Sequence, residues 1–450
     1  MSGTDLARRD FLRLAAGGVT VLAAGTGCRS RSNRTTSRAH GGSFEGGEPL
    51  RIARRTNYIS GYDEWWDEQA RRWGERNGIE VLVEYFDVTQ AQAHAETEAA
   101  SQRGHDVFQL VASAAPFEDH VIDHREIVEE AIAKFGTMTS FVERSIVNPK
   151  TGKCFAFSDA WNPSPVHYRT DLWEGVGPPA GWQDLLTAGP ALKARGTPIG
   201  IGLSPDIESN GGLLGLLFSF GASIQDEEAR IVINSRATVE AIKFATALFR
   251  TAMTDEVLGW DIASNNRYLV TGRGSLIINS VAALRALESQ DPGLAAKTGL
   301  RPVPAGPAGR FAPHAVNVYM VWKFSKNQEA AKRFLVDLIG ESKENFLKSA
   351  YLQIPSFSKP ASDLPGLVAD DPRSQPADKY RLLAGAAAWT TNMGYPGYTN
   401  AACQEVLETS VISQMFASAA TGAMTAEEAV RTAEARIKPI FDKWREQGKV

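Results

Sequence analysis

The residue types that usually carry catalysis or bind metal ions are scattered along this chain. Its 450 residues contain no HExxH, GxSxG, GxxxxGKS/T or paired CxxC pattern. His120 and His124 have the spacing of two metal ligands on one helix face, but a surface location is the simpler interpretation. Cys154 and Cys403 could form a disulfide or remain as free buried thiols. Asp and Glu are many, and nothing singles out a catalytic pair. We predict no catalytic residue, no metal site and no cofactor.

Aromatic and hydrogen-bonding residues stand where a small polar molecule could bind. Tyr58, Asp159, Trp161, Asn279 and Trp389 combine flat ring faces with polar groups. Trp and Tyr suit the apolar faces of sugar rings, and Asp and Asn suit sugar hydroxyls. Burial of such polar groups is tolerated only when each finds a hydrogen-bond partner.

Alternating strands and helices must position these residues in the first part of the chain. The segments 50–55 and 79–86 alternate apolar and polar residues with period two, and 105–111 reads as a third strand. Helices are predicted between them, so the sheet is expected to be parallel and doubly wound. Ligands of such sheets lie beyond the carboxyl ends of the strands, where Tyr58, Ser60 and Ser113 fall. Trp65 and Trp66 are adjacent on a helix, so at most one can face a cleft, and core packing is favoured.

Length and charge exclude several classes of protein. A chain of 450 residues suggests two or three domains, and 43% hydrophobic with 22% charged residues is typical of a globular protein. The net charge is −4, although the first forty residues alone carry seven Arg against two Asp. The remainder is therefore more acidic still, which does not suit binding to nucleic acid.

The amino-terminal segment indicates export. Arg8-Arg9 followed by Phe11-Leu12 matches the twin-arginine pattern, and 14–24 is an apolar run too short to span a bilayer. The segment 22–28 resembles a bacterial lipobox in which Cys28 is lipidated. A plain signal peptide, with Cys28 incidental, is the alternative. We predict a Tat-type signal peptide with lipobox over 1–28 and a flexible tether over 29–48, which is nearly free of apolar residues.

A central stretch resembles a known family. Gly152-Lys153, Asp159-Ala160-Trp161, Tyr168 and Asp171-Leu172-Trp173 are similar to the hinge crossing of extracellular solute-binding proteins of family 1, which serve ABC importers. The segment 325–331 with Phe334 is similar to the family's "S-K-N-x-E-A-A-x-x-F" helix.

The resemblance implies an α/β protein with the two-lobe periplasmic-binding-protein type II fold, each lobe a doubly wound sheet flanked by helices. It assigns 49–158 and 277–324 to lobe 1, and 159–276 and 325–450, with the carboxyl-terminal helices, to lobe 2. The chain is then expected to cross between lobes near 158–162, 273–277 and 324–327. A hinge motion would close the lobes on a ligand.

The strand ends and the resemblance together single out twelve candidate ligand-binding residues. For Asn210, a plain helix N-cap role is an equal alternative. The candidates are Tyr58, Ser60, Ser113, Asp159, Trp161, Asn210, Trp260, Asn279, Ser280, Asn317, Trp389 and Asn392.

The implied function is that of an exported solute-binding component of an ABC importer. It would be a monomer, anchored by lipid in the periplasm or at the cell surface, that delivers a sugar or oligosaccharide to the permease. A polyol, a sugar phosphate or a polyamine remains open as the solute, and a neutral ligand is favoured because no Arg cluster lies among the candidates. The alternative function is an exported carbohydrate-active enzyme.

Overall fold

The computed structural model of this chain describes residues 47–111 and 113–450. The predictions for the signal peptide, for Cys28 and for nearly all of the tether lie outside these residues. The strands are mostly short, and several have only two residues. They are β1 (Leu50–Arg55), β2 (Val81–Phe86), β3 (Val107–Leu110), β4 (Val147–Asn148), β5 (Lys153–Cys154), β6 (Ala160–Asn162), β7 (Val166–Arg169), β8 (Ile199–Gly200), β9 (Leu276–Ile278), β10 (Thr298–Arg301), β11 (Ala312–Pro313), β12 (Ala315–Val316), β13 (Val318–Val321), β14 (Ile354–Pro355) and β15 (Thr390–Thr391).

Helices make up most of the remaining regular structure. They are α1 (Tyr62–Asn77), α2 (Ala91–Ser101), α3 (Arg125–Phe135), α4 (Ser140–Ile146), α5 (Trp182–Ala194), α6 (Ile207–Ser219), α7 (Arg236–Ala252), α8 (Ser264–Val270), α9 (Ala282–Gln290), α10 (Pro292–Ala296), α11 (Gln328–Leu338), α12 (Ser342–Lys348), α13 (Ser358–Ala361), α14 (Leu364–Leu367), α15 (Ala401–Glu408), α16 (Val411–Ala420) and α17 (Ala426–Glu446). Four 3-10 segments, 115–117, 255–259, 339–341 and 379–388, complete the set in the described residues.

The first sheet has the strand order β13-β3-β1-β2. Strand β1 is parallel to both neighbours, as the alternation of strands and helices predicts, and β13 closes the edge in the antiparallel direction. Apolar side chains of α1 and α11 cover this sheet, and the ring of Trp66 packs on that of Phe334. Both tryptophans of α1 are buried, in agreement with the core-packing interpretation.

The second sheet has the order β10-β7-β9-β8. Only β8 and β9 are parallel, and β7 is antiparallel to both of its neighbours. This sheet is thus mixed, because β7 runs opposite to the other three strands. A second core of leucines from α5, α6 and α7 packs beside it, including Leu185, Leu214, Leu217 and Leu248.

A third, three-stranded sheet marks where the chain passes between the two larger sheets. Its order is β12-β6-β14, and β6 is antiparallel to both partners. In chain order, β6 lies between β3 and β7, and β12 lies between β10 and β13. The passages therefore fall at 160–162, 315–316 and 354–355.

The predicted lobe boundaries at 276/277 and 324/325 differ from this pairing. Strands β9 and β10 belong to the second sheet, although residues 277–324 were assigned to lobe 1. Helix α11, assigned to lobe 2, packs against strand β13 of the first sheet and against helix α3. The glycine turn at 272–274 resembles a crossing in sequence, but its strand pairs with β7 and β8 and so stays in one sheet.

Candidate functional site

The carboxyl end of β1 brings two arginines and a tyrosine to the side of the first sheet where ligands are expected. Arg54 and Arg55 are the last residues of β1, and both are almost fully buried. The loop that follows is fixed because the Asp63 carboxylate accepts from the Asn57 N–H at 3.1 and 3.2 Å. Tyr58 projects from this loop with 60% of its surface exposed, and Ser60 is also exposed.

The amino end of α6 is the corresponding feature of the second lobe. The Asp206 carboxylate caps the helix by accepting from the N–H groups of Glu208 and Ser209 at 2.9 and 3.1 Å. It also accepts from the Ser204 hydroxyl at 2.7 Å. Asp206, and not Asn210, is therefore the N-cap. The alternative role of Asn210 as a plain N-cap is therefore wrong.

A cavity of about 210 Å³ opens on one side of this helix end. That volume would hold roughly seven water molecules. Ser113 from the first lobe and Asn210 from the second both line it, together with Gln404 of α15. The amide of Asn210 donates to the Leu407 carbonyl at 3.1 Å, and its buried Oδ1 has no partner in the described part of the chain. Asn210 thus offers an acceptor to whatever enters this cavity.

Two narrow cavities lie on the other side of the same helix end. The first is lined by Glu208, Trp260, Asp261, Asn265 and residues of the strand ends, and the second shares Glu208, Gly212 and Ile278 with it. Trp260, one of the twelve candidates, follows the 3-10 segment 255–259 and borders the first of these cavities. The lining residues of the three cavities include several carboxylates and no Lys or Arg.

Glu208 has an unusual electrostatic setting. Burial raises the pKa of its carboxyl to about 7, the charge of Asp206 raises it further, and the charge of Arg55 opposes them. Burial lowers the pKa of Arg55. Partial burial raises the pKa of the Tyr58 hydroxyl, because it disfavours the charged form. The charges of Arg55, Glu208 and Asp261 also act on this pKa. The end of β1 and the amino end of α6 are therefore close enough to interact across the cleft.

Asp159 and Trp161 lie in the first passage between lobes and are buried. The Asp159 carboxylate accepts from the Asn345 amide at 3.1 Å, and burial raises its pKa to about 6 while Arg54 opposes the shift. The Trp161 ring packs edge-on against Phe141, with centroids 4.9 Å apart. Trp161 Nε1 and Asp159 Oδ1 have no hydrogen-bond partner among the described residues. Neither residue lines the three cavities.

Asn279 and Ser280 directly follow β9, as the sequence predicts. Neither residue lines the first narrow cavity. The Asn279 amide donates to Asn265 Oδ1 at 2.9 Å, and its own Oδ1 accepts from the Ser280 N–H at 2.6 Å. Asn265 in turn lines the cavity. Asn279 therefore positions a lining residue.

Three further candidates are engaged in internal contacts. Asn317 donates to Gln353 between passages of the chain. Trp389 packs in the first core, and the Asn392 amide donates to the Gly397 carbonyl at 2.9 Å. None of the three borders the cavities described above.

The sequence reasoning missed Arg54, Arg55 and Glu208. The rule that selected Tyr58, the carboxyl end of a parallel strand, applies equally to the two arginines that end β1. Glu208 stands in the polar segment from which only Asn210 was selected. The preference for a neutral ligand was based on the twelve candidates, which include no Arg, and it did not take the buried Arg54 and Arg55 into account.

Metal and thiol chemistry have little basis in the described residues. Over 47–111 and 113–450, no group of three or more His, Cys, Asp or Glu side chains could hold a metal ion. Cys154 and Cys403 are both buried and free, so the possible disulfide between them is absent. None of the helices in these residues combines the length and apolar character needed to cross a bilayer.

Solved structures with the same architecture define the class of fold. Maltose-bound MalE3 of T. maritima superposes with a TM-score of 0.70 at 22% identity, covering 86% of this chain and 99% of that one. A sugar transporter from Arthrobacter chlorophenolicus A6 with bound laminaribiose gives 0.72 at 17% identity, covering 87% and 99%. A solute-binding protein from Agrobacterium radiobacter K84 in complex with ribitol gives 0.70 at 16%, covering 87% and 100%. These likenesses confirm the two-lobe type II fold.

Sequence comparison places the chain in a family. The pattern of the bacterial extracellular solute-binding proteins matches residues 57–350, which is more than half of the chain. The protein belongs to this family, as the central stretch and the helix at 325–334 indicate. A probable ABC transporter-binding protein of Deinococcus radiodurans is 27% identical over 251 residues, 52% of this chain and 58% of that relative. The matched region thus spans somewhat more than half of the relative's length.

Proposed function

We propose that the protein captures a sugar or oligosaccharide between its two lobes and delivers it to an ABC permease. The observation that carries this proposal is the clustering of three cavities around the amino end of α6, with Trp260 on one side and the free Asn210 acceptor on the other. An aromatic face and hydrogen-bonding groups between lobes are what a carbohydrate requires. Maltose, laminaribiose and ribitol in similar structures support the same class of ligand.

Binding without turnover is part of the proposal. The family consists of binding proteins. The exported carbohydrate-active enzyme therefore stays the alternative, which product analysis distinguishes: a carrier returns the ligand unchanged, whereas an enzyme releases shorter or oxidised sugars.

A calorimetric panel tests the binding function. Purified protein is titrated with maltose, laminaribiose, ribitol, glucose 6-phosphate and spermidine, after a thermal-shift screen at the same concentrations. We expect at least one sugar or polyol to bind with micromolar or better affinity, on the order of −8 kcal/mol. Failure of every sugar and polyol to bind would contradict the proposal.

The export and anchoring predictions are also proposals. We propose that the chain leaves the cell through a Tat-type signal, is held at the membrane by lipid on Cys28, and acts there as a monomer. Radiolabelled palmitate should label the wild type and not Cys28→Ala; equal labelling of both would rule out the anchor.

A further inference from the structure

Arg55 and Glu208 stand on opposite sides of the cleft, and neither side chain has a hydrogen bond or ion pair among the described residues. Arg55 ends β1 of the first lobe with 7% of its surface exposed. Glu208 is half-buried in the first turn of α6 and borders both narrow cavities. The two charges attract each other, yet they do not meet. A half-buried charge without a partner is costly, so each has reason to bind something between them.

The chemistry of the missing partner follows from the two groups. A guanidinium only donates hydrogen bonds, and an ionised carboxylate only accepts them. A hydroxyl group can accept from Arg55 and donate to Glu208 at the same time. A fully ionised phosphate or carboxylate cannot donate to the ionised Glu208 carboxylate and is repelled by it, whereas an ammonium cannot accept from Arg55 and is repelled by it.

We propose that Arg55 and Glu208 together bind one hydroxyl group of a neutral ligand and thereby set the charge class of the solute. The inference rests on the proposed function, because it concerns the same cleft. It excludes a sugar phosphate and a polyamine, both of which the sequence leaves open.

The other charges around the pair leave this assignment intact. The Asp206 carboxylate already accepts hydrogen bonds from the Ser204 hydroxyl and from two N–H groups at the start of α6. Asp261 accepts from the Ser264 hydroxyl and is paired with Arg267 at 2.9 Å. Tyr58, from the loop after β1, interacts with Arg55, Glu208 and Asp261. Glu208 is therefore the carboxylate that remains available on this side of the cleft.

The bare face of α6 leaves room for the ligand. A side chain built at Gly211 would meet nothing within 4 Å, and one at Gly212 would meet only Ile201, at 4.0 Å. Gly212 lines both narrow cavities beside Glu208. The backbone of α6 beside Glu208 is thus open, and a ligand hydroxyl can approach it there.

Proton release offers a readout that a merely structural carboxylate would not give. In the free protein, burial and Asp206 raise the pKa of Glu208 to about 7, with Arg55 opposing. A hydroxyl donates a stronger hydrogen bond to the ionised carboxylate than to the protonated carboxyl, so ligand binding lowers the pKa of Glu208. At pH 7 about half of the free molecules carry the proton, and binding should release about half a proton per ligand.

The experiment uses the neutral sugar or polyol that binds the wild type most tightly among maltose, laminaribiose and ribitol. Calorimetry at pH 7 in buffers of different ionisation enthalpy measures the protons released. We expect about half a proton for the wild type and none for Glu208→Gln, with at least tenfold weaker binding by the variant. Arg55→Lys should also bind several-fold more weakly, and the losses of the double variant should be less than multiplicative.

The matched control is Glu227→Gln, an exposed glutamate of the same lobe, which should match the wild type in affinity and proton release. Proton uptake on binding, or affinity of Glu208→Gln within twofold of the wild type, would overturn the inference. So would tightest binding of glucose 6-phosphate or spermidine, although solute capture itself would then stand. Unfolding temperatures of all variants show whether any loss reflects misfolding.

Discussion

At the scale of single residues, candidates chosen for their type alone divide into lining and supporting roles. Trp260 and Asn210 border cavities, whereas Trp161 and Trp389 are packed in the interior. An aromatic side chain contributes far more to a core than to a cleft by area alone, so type and position in sequence cannot separate the two. Arg55 and Glu208 matter instead because, in the part of the chain that the structure describes, neither side chain has a hydrogen bond or an ion pair.

Glu208 should make the stability of the ligand-free protein depend on pH. Its carboxyl has an ordinary pKa of 4.5 and a raised one of about 7 in the folded state. The folded protein thus holds the proton more tightly than the unfolded chain. This contribution is fully present below about pH 4.5 and is lost as pH rises through about 7.

Urea unfolding at pH 5 and pH 8 measures this effect. We expect the free energy of unfolding of the wild type to fall by about 1–2 kcal/mol more than that of Glu208→Gln, allowing for solvent screening of a half-buried group. Burial raises the pKa of the Asp159 carboxyl to about 6, and this group contributes equally to the pH dependence of both proteins. Parallel pH profiles for the two proteins would show that Glu208 is not perturbed.

At the scale of secondary structure, α6 has an ordinary Asp N-cap but two consecutive glycines inside the helix. Asp206 caps the amino end of the helix. Gly211 and Gly212 follow within two turns, and a helical glycine is about 1 kcal/mol less favourable than alanine. The glycines therefore lower the stability of the helix, and the face that they leave without side chains borders the two narrow cavities. We infer that the glycines are there for the ligand.

Substitution of Gly212 should separate stability from binding. Gly212→Ala should raise the free energy of unfolding by up to about 1 kcal/mol, because the new methyl group meets no clash. Gly212→Leu should leave the fold intact and weaken sugar binding at least tenfold by filling the cavities. Urea unfolding and calorimetry measure the two effects.

The control for this prediction is Gly366→Leu in α14, another helical glycine with open space around it. It should bind sugar like the wild type. Unchanged affinity of Gly212→Leu would mean that the ligand lies elsewhere.

At the scale of the whole molecule, the sequence predicts the architecture better than its boundaries. The alternation over 50–111 and the motif at 325–334 lead to the correct sheet and family. The glycine turn at 272–274 misleads, because a buried strand after a glycine looks the same whether it crosses between lobes or stays in one sheet. Strand β6 pairs with residues more than 150 positions away in β12 and more than 190 positions away in β14, and no local pattern shows these pairings.

The same limit applies to the site. The cavities form around the amino end of α6, where it meets the segment after β3 on one side and the loop bearing Trp260 on the other. Each of these segments contributes residues whose local role is ordinary. Ser113 and Asn210 could be selected from strand and helix ends, whereas the opposition of Arg55 and Glu208 exists only in the folded chain. Partnerless charges are a property of three-dimensional packing and cannot be read from one segment.

The central claim is that a neutral solute lies between the lobes at the amino end of α6. A crystal structure with the tightest-binding sugar of the panel tests it most directly. We expect the sugar ring beside Trp260, with one hydroxyl within hydrogen-bond distance of both Arg55 and Glu208. Sugar bound on an outer surface, with these two side chains paired directly to each other, would contradict the account.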